Sequence, residues 1–229
     1  MLPELVLLPS PLLGRSVWQP AAKQLRRAGW SATVAAGPAA PSTPDEVLRS
    51  YLDSIRTDAE VVLVPHSNAG LYVPRLIAER DVVATVFVDA ALPPDAGSVP
   101  LAPAGMDEFL AARADEDGLL PPWTQWWEDG DLDGLFPSRA ARTLVEREQP
   151  RLPLTYFRTT LPVSAGWADT PGAYLAFGDT YADERHQAGE HGWPVRTLPG
   201  RHLHMLAEPR QVATAVTDLL ASLGLQSSR

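Results

Sequence analysis

The 229-residue chain contains no cysteine. Disulfides, thiolate metal sites and cysteine nucleophiles are therefore excluded, and a cytoplasmic location is the expectation. No apolar run reaches the roughly 18 residues that a membrane span needs. The opening stretch MLPELVLLPSPLLG is apolar but lacks a basic n-region and a cleavage-site pattern, so it reads as a first strand and not a signal peptide. No internal repeat is visible. Positive charge is in deficit: 19 Lys and Arg face 28 Asp and Glu, a net charge of -9. That balance argues against nucleic acid or an anionic membrane as a partner. A small-molecule substrate is the expected partner, and the sequence is silent on oligomeric state.

What is present is a globular mixture, 45% hydrophobic and 21% charged, of a length suited to one α/β domain. Apolar runs alternate with helical spacing. ELVLLP, WSATVAAG, AEVVLVP and VVATVFVDA read as strands, the third a continuous Val/Leu run expected when both sheet faces are covered. Between them lie helical patterns over Ser16 to Ala28, over EVLRSYLDSI with Ser42 or Asp45 as a cap, and over AGLYVPRLIAER with a bend expected at Pro74. The rhythm breaks from about Leu92 to Trp167, a stretch rich in proline that carries Trp123, Trp126, Trp127 and the acidic run WEDGDLDG. It resumes with AYLAFGD as strand, Asp183 to Gly192 as helix, PVRTL as strand and EPRQVATAVTDLLASLG as a last amphipathic helix. Such alternation means parallel strands joined by right-handed crossovers. The expected fold is α/β: a doubly wound, mainly parallel sheet built from residues 1–91 and 168–229, with a helical cap inserted over 92–167.

Ligands of such sheets bind at the carboxyl ends of the strands. Ser67 sits there, in VVLVPHSNAG, where an apolar run gives way to small residues. A sharp strand-to-helix turn would lift its hydroxyl above the sheet, with the Asn68 N–H available to an oxyanion. Ala69 and Gly70 suit the close packing of that turn. Pro65, where a glycine is usual, does not. The plainer alternative for Ser67 is a helix N-cap.

A serine hydroxyl needs a base to take its proton. Of His66, His186, His191, His202 and His204, only the last two lie in a loop between the final strand and the final helix. Read alone, they could also be two metal ligands, but no cysteine or carboxylate cluster accompanies them. No metal or cofactor is expected.

HLHMLAEP resembles the catalytic-histidine segment of α/β-hydrolases, in which a proline follows the histidine by seven residues; Pro209 stands at that distance from His202, which favours His202 over His204. VPHSNAG resembles their nucleophile elbow, and VFVDAALPPD the segment after their sixth strand. The likeness is nearest to the plant esterase and hydroxynitrile-lyase-like branch and to small actinobacterial hydrolases. It covers most of the chain outside the cap and places that insertion after the sixth-strand equivalent. It implies a serine esterase, thioesterase or lactonase, with a lyase, cyclase, isomerase or non-catalytic binder as alternatives.

The resemblance also implies a carboxylate to orient the imidazole. The family usually carries it three residues after the glycine of AYLAFG, but here that position is Tyr181. A subset resembling haloalkane dehalogenases takes it from the end of the sixth strand, which is Asp89 here. Asp89 is the first choice, Asp179 the second and Asp183 the third; a turn residue is the plainer role for Asp89. The usual His-Gly after the first strand is absent. Because Pro11 has no N–H, Leu12 is the candidate second oxyanion donor, and Ser10 could add a hydroxyl at the substrate pocket. Trp123, Trp126 and Trp127 either line an apolar pocket over Ser67 or anchor the cap on the body.

Overall fold

The computed structural model describes residues 2–37, 40–128 and 130–227. Asp129, within the acidic run WEDGDLDG, lies outside them. The chain opens with β1 (Glu4–Leu8), helix α1 (Gln19–Arg27), β2 (Ala32–Val34), α2 (Pro44–Ser54), β3 (Val61–Ser67), α3 (Val73–Glu79) and β4 (Val82–Ala90). After an insertion come β7 (Gly172–Phe177), α7 (Ala182–Glu190), β8 (Val195–Leu198), α8 (His204–Ala207) and α9 (Pro209–Ser222). The main sheet has six strands in the order β2-β1-β3-β4-β7-β8, and every neighbouring pair is parallel. This is the doubly wound sheet that the strand–helix rhythm predicts.

Each central strand is apolar on both faces because helices cover both. In β3, Val62 and Val64 face the layer holding Ala21, Leu25, Val216 and Leu220. Val61 and Leu63 face the opposite layer, with Val47, Tyr51, Val73 and Leu76. The side-chain period of two splits one run between two cores. Each fully buried Val or Leu there contributes roughly 1.5–3 kcal/mol relative to an exposed one.

Local signals set the helix ends. Thr43, not Ser42 or Asp45, caps α2: its hydroxyl accepts from the Glu46 N–H, and the Glu46 carboxylate accepts in return from the Thr43 N–H. Pro74 does not bend a helix. It lies in the first turn of α3, where its missing N–H costs nothing, after a short 3-10 segment over Asn68–Tyr72.

The insertion contains β5 (Gly97–Pro100), α4 (Asp107–Ala111), α5 (Arg139–Glu148), α6 (Leu154–Phe157) and β6 (Thr160–Val163). Strands β5 and β6 pair antiparallel and bring the two ends of the insertion together. No strand is predicted there from sequence: each has four residues and contains a proline, and β5 is largely exposed while only Leu161 and Val163 of β6 are buried. On the other flank, Glu148 at the end of α5 accepts a hydrogen bond of 2.8 Å from the Ser16 N–H. The approach is so close that a Cβ on Gly14 would lie 2.1 Å from Glu148 Cβ. Among the described residues no helix is long and apolar enough to cross a membrane.

Candidate active site

The sheet order brings the carboxyl ends of β1, β3, β4, β7 and β8 to one edge, and the polar residues singled out above lie in the last residues of those strands or in the loops after them. Two non-glycine residues among those described have positive φ, Ser67 at 56° and Asp89 at 43°. Such backbone costs of order 1–3 kcal/mol per residue and persists only where the surroundings impose it. Here the two strained residues are stitched together. Ala91 N–H donates to the Ser67 carbonyl at 3.1 Å. Gly70 passes so near that a Cβ on it would sit 2.0 Å from the Ala91 carbonyl oxygen. Pro65 lies inside the central strand β3, next to a shift of the β3–β4 register between His66 and Ser67. A break in the ladder is where a central strand tolerates a residue without an N–H.

Asp89 is fully buried yet partnered at both oxygens. Oδ1 accepts from the Phe177 N–H at 2.8 Å, and Oδ2 meets His202 Nδ1 at 2.7 Å. A carboxylate only accepts, so Nδ1 carries the proton and Nε2 is left with a lone pair. The other candidates stand elsewhere. Asp179 is exposed and paired with Arg185 at 3.2 Å. Asp183 is exposed on the first turn of α7. His204 points away, its Nε2 bonded to Gln211 Oε1 at 2.8 Å.

His66, next to Ser67 in the chain, packs beneath His202 with ring centroids 4.5 Å apart and Trp18 at its edge. Its Nε2–H donates to the His202 carbonyl at 2.9 Å, and its Nδ1 is buried without a partner. Burial first, and then the nearby His202, hold its pKa well below the ordinary 6.5. Folding therefore keeps His66 neutral while the unfolded chain takes up a proton below about pH 6.5. Stability from this group is complete above that pH and falls as pH drops, by up to about 1.4 kcal/mol per pH unit. Urea unfolding at pH 7.5 and 5.5 tests this: the loss on acidification should be smaller in His66→Gln by about 1 kcal/mol. Equal losses in both proteins assign the acid sensitivity to other groups.

Contrary to the sequence reading, the Ser67 hydroxyl makes no hydrogen bond to His202. Its partner is the Tyr181 hydroxyl at 3.2 Å, on the loop between β7 and α7. The loop after β1 also differs from expectation. Ser10 is buried and is not among the residues lining the cavity over Ser67. Its Oγ accepts from the Leu12 N–H at 3.3 Å, closing a tight turn around Pro11. Leu12 does line the cavity, but its amide is turned toward Ser10. The Asn68 N–H opens the 3-10 segment, among the donors that a helix start leaves without an internal partner.

Ser67, His202 and Tyr181 share one cavity of about 440 Å³, a size ordinary for small-molecule sites. Trp123, Trp126 and Trp127 all line it. Trp126 is also an anchor, nearly buried, with its indole N–H donating to the Pro121 carbonyl at 2.8 Å. Trp123 and Trp127 meet edge to face at 5.9 Å, and Trp123 lies 6.2 Å from the His202 ring. Glu184 contributes the one carboxylate among the lining residues, and burial raises its pKa. Among the described residues no Lys or Arg lines the cavity. Among the described residues no group of three or more His, Cys, Asp or Glu is placed to hold a metal ion.

The molecule superimposes on solved structures along nearly its whole length. An extracellular α/β-hydrolase from a Paenibacillus species matches with a TM-score of 0.71 at 20% identity, covering 95% of this chain and 98% of that one. The chain has the α/β-hydrolase fold. Polyneuridine aldehyde esterase shares this hydrolase fold with a TM-score of 0.70 at 18% identity, over 96% of this chain and 99% of that one. A methylesterase from Arabidopsis does so with a TM-score of 0.72 at 15% identity, over 96% and 100% of the two chains. No protein-family model and no curated protein matches the chain. At these identities the likeness is one of fold, with the insertion in the hydrolase-fold position after β4.

Proposed function

We propose that the protein is a serine hydrolase, nearest to the plant esterase and hydroxynitrile-lyase-like branch, that cleaves an ester, thioester or lactone of a small apolar substrate. The observation carrying this reading is the 2.7 Å contact between Asp89 and His202 at the edge of a cavity that also holds the strained Ser67. With Nδ1–H held by Asp89, His202 Nε2 is a base. It takes the Ser67 proton as the hydroxyl turns toward it, and Oγ attacks the carbonyl carbon. Unliganded sites often show this contact long or misaligned, and it tightens when substrate binds. Asn68 N–H receives the oxyanion, and Leu12 N–H joins it by turning from Ser10. Water then attacks the acyl-serine and His202 returns the proton. Residues 92–167 act as the lid, with the tryptophans excluding water from an apolar acyl or alcohol group. A substrate carboxylate would meet Glu184 and, among the described residues, no Lys or Arg, which favours an uncharged substrate. We place the protein in the cytoplasm, the compartment that a cysteine-free chain fits.

A second reading, acid–base chemistry without an acyl-enzyme in a lyase, cyclase or isomerase, draws on one observation: Ser67 bonds to Tyr181 and not to His202. A fluorophosphonate probe separates the two. Covalent labelling located at Ser67 by peptide mass spectrometry is the expected result. Substrate turnover without labelling favours the second reading, and tight ligand binding with neither makes the protein a non-catalytic binder.

A further inference from the structure

Asp89 supplies from β4 the carboxylate that the resemblance expects after β7. The β7 position is thereby open to another residue, and it holds Tyr181, three residues after Gly178. The Tyr181 hydroxyl lies 3.2 Å from Ser67 Oγ, and its ring lies 5.7 Å from that of His202.

The direction of this hydrogen bond follows from counting protons. Tyr181 has one to give, and Ser67 Oγ is its one hydrogen-bond partner among the described residues. Either hydroxyl can donate while both carry their protons, but once Ser67 has passed its proton to His202 its oxygen can only accept. Burial pushes the phenol pKa up, so the proton stays on it. Tyr181 therefore donates to Ser67 Oγ whenever that oxygen carries negative charge.

We propose that Tyr181 is a catalytic residue whose hydroxyl stabilises negative charge on Ser67 Oγ and speeds release of the acyl group; this rests on the serine-hydrolase reading above. In deacylation, water adds to the acyl carbon and gives a proton to His202. The C–Oγ bond then breaks, its electron pair goes to Oγ, and His202 returns the proton there. Tyr181 keeps its own proton throughout and acts through the hydrogen bond. In acylation the same bond has two opposed effects, because it makes Oγ easier to deprotonate but less nucleophilic. In deacylation Oγ is the leaving group, and the help is unopposed.

The test is Tyr181→Phe, which keeps the ring and removes the oxygen. With p-nitrophenyl butyrate, an activated ester for which deacylation sets kcat and acylation sets kcat/KM, kcat should fall roughly tenfold. The ratio kcat/KM and the rate of fluorophosphonate labelling should stay within about threefold, so KM falls with kcat. A thermal melt of the variant confirms that it is folded. An unchanged kcat overturns the proposal, as does a fall in kcat/KM as large as that in kcat, because a merely structural role gives no such split. Absence of both turnover and labelling in the unmodified protein overturns the hydrolase reading, and this proposal with it. Labelling and turnover in the unmodified protein that Tyr181→Phe leaves untouched overturn this proposal alone.

Discussion

Ser67→Ala and His202→Ala should each lower kcat for p-nitrophenyl butyrate by roughly 10³–10⁶-fold, and the double variant should lose no more than the worse of the two. The reason is that the hydroxyl and the imidazole act as one unit. Without the hydroxyl there is nothing for His202 to deprotonate, and without the base the hydroxyl at pH 7 is a poor nucleophile. The residual rate should belong to the cavity and the Asn68 amide, which bind and polarise the carbonyl in every variant. Rates from the three proteins, measured with circular dichroism to confirm folding, decide the matter. If the single losses multiply in the double variant, the two residues act separately and the shared proton transfer is wrong.

Asp89→Asn should cost about 10⁴-fold in kcat with the fold retained. The amide keeps the shape of the carboxylate, and its oxygen can still accept from the Phe177 N–H. Its NH₂ group would then face His202 Nδ1, which now donates. Two donors cannot share a bond, so the imidazole either swings away or changes tautomer and places its proton on Nε2. Either outcome removes the lone pair that Ser67 needs. Asp179→Asn and Asp183→Asn serve as controls and should stay within a factor of about two, since both lie on the exposed surface. A large loss in Asp179→Asn, with Asp89→Asn active, moves the carboxylate role to the loop after β7.

The sheet was readable because its central strands are mostly apolar runs, as in VVLVP of β3 and AYLAF of β7, and a run of that kind has few alternatives once helical spacing separates it from the next. The position of Asp89 was readable for a related reason: a carboxylate that ends so apolar a strand must find a partner. The contacts that could not be read depend on where side chains reach across the fold. Tyr181 stood out as a departure from the family pattern, but nothing local tells a phenol to bond a serine more than a hundred residues earlier. Ser10 looked like a pocket hydroxyl because it follows β1, yet the turn around Pro11 gives that hydroxyl a nearer task. The β5–β6 ribbon escaped notice because strands of four residues with proline carry almost no periodic signal.

The ribbon and the Glu148–Ser16 bond have a joint consequence for traffic into the molecule. The ribbon grips the insertion where it leaves β4 and returns to β7, while Glu148 grips it on the β1 side, across the strand that ends in Ser67. A piece held at two places on opposite flanks has no free hinge. Between those grips the partly exposed indole of Trp127 lines the cavity and also meets solvent. With the insertion held on both flanks, the bulk of molecule admitted should follow the side chain at position 127, so that Trp127→Ala widens the range of esters hydrolysed.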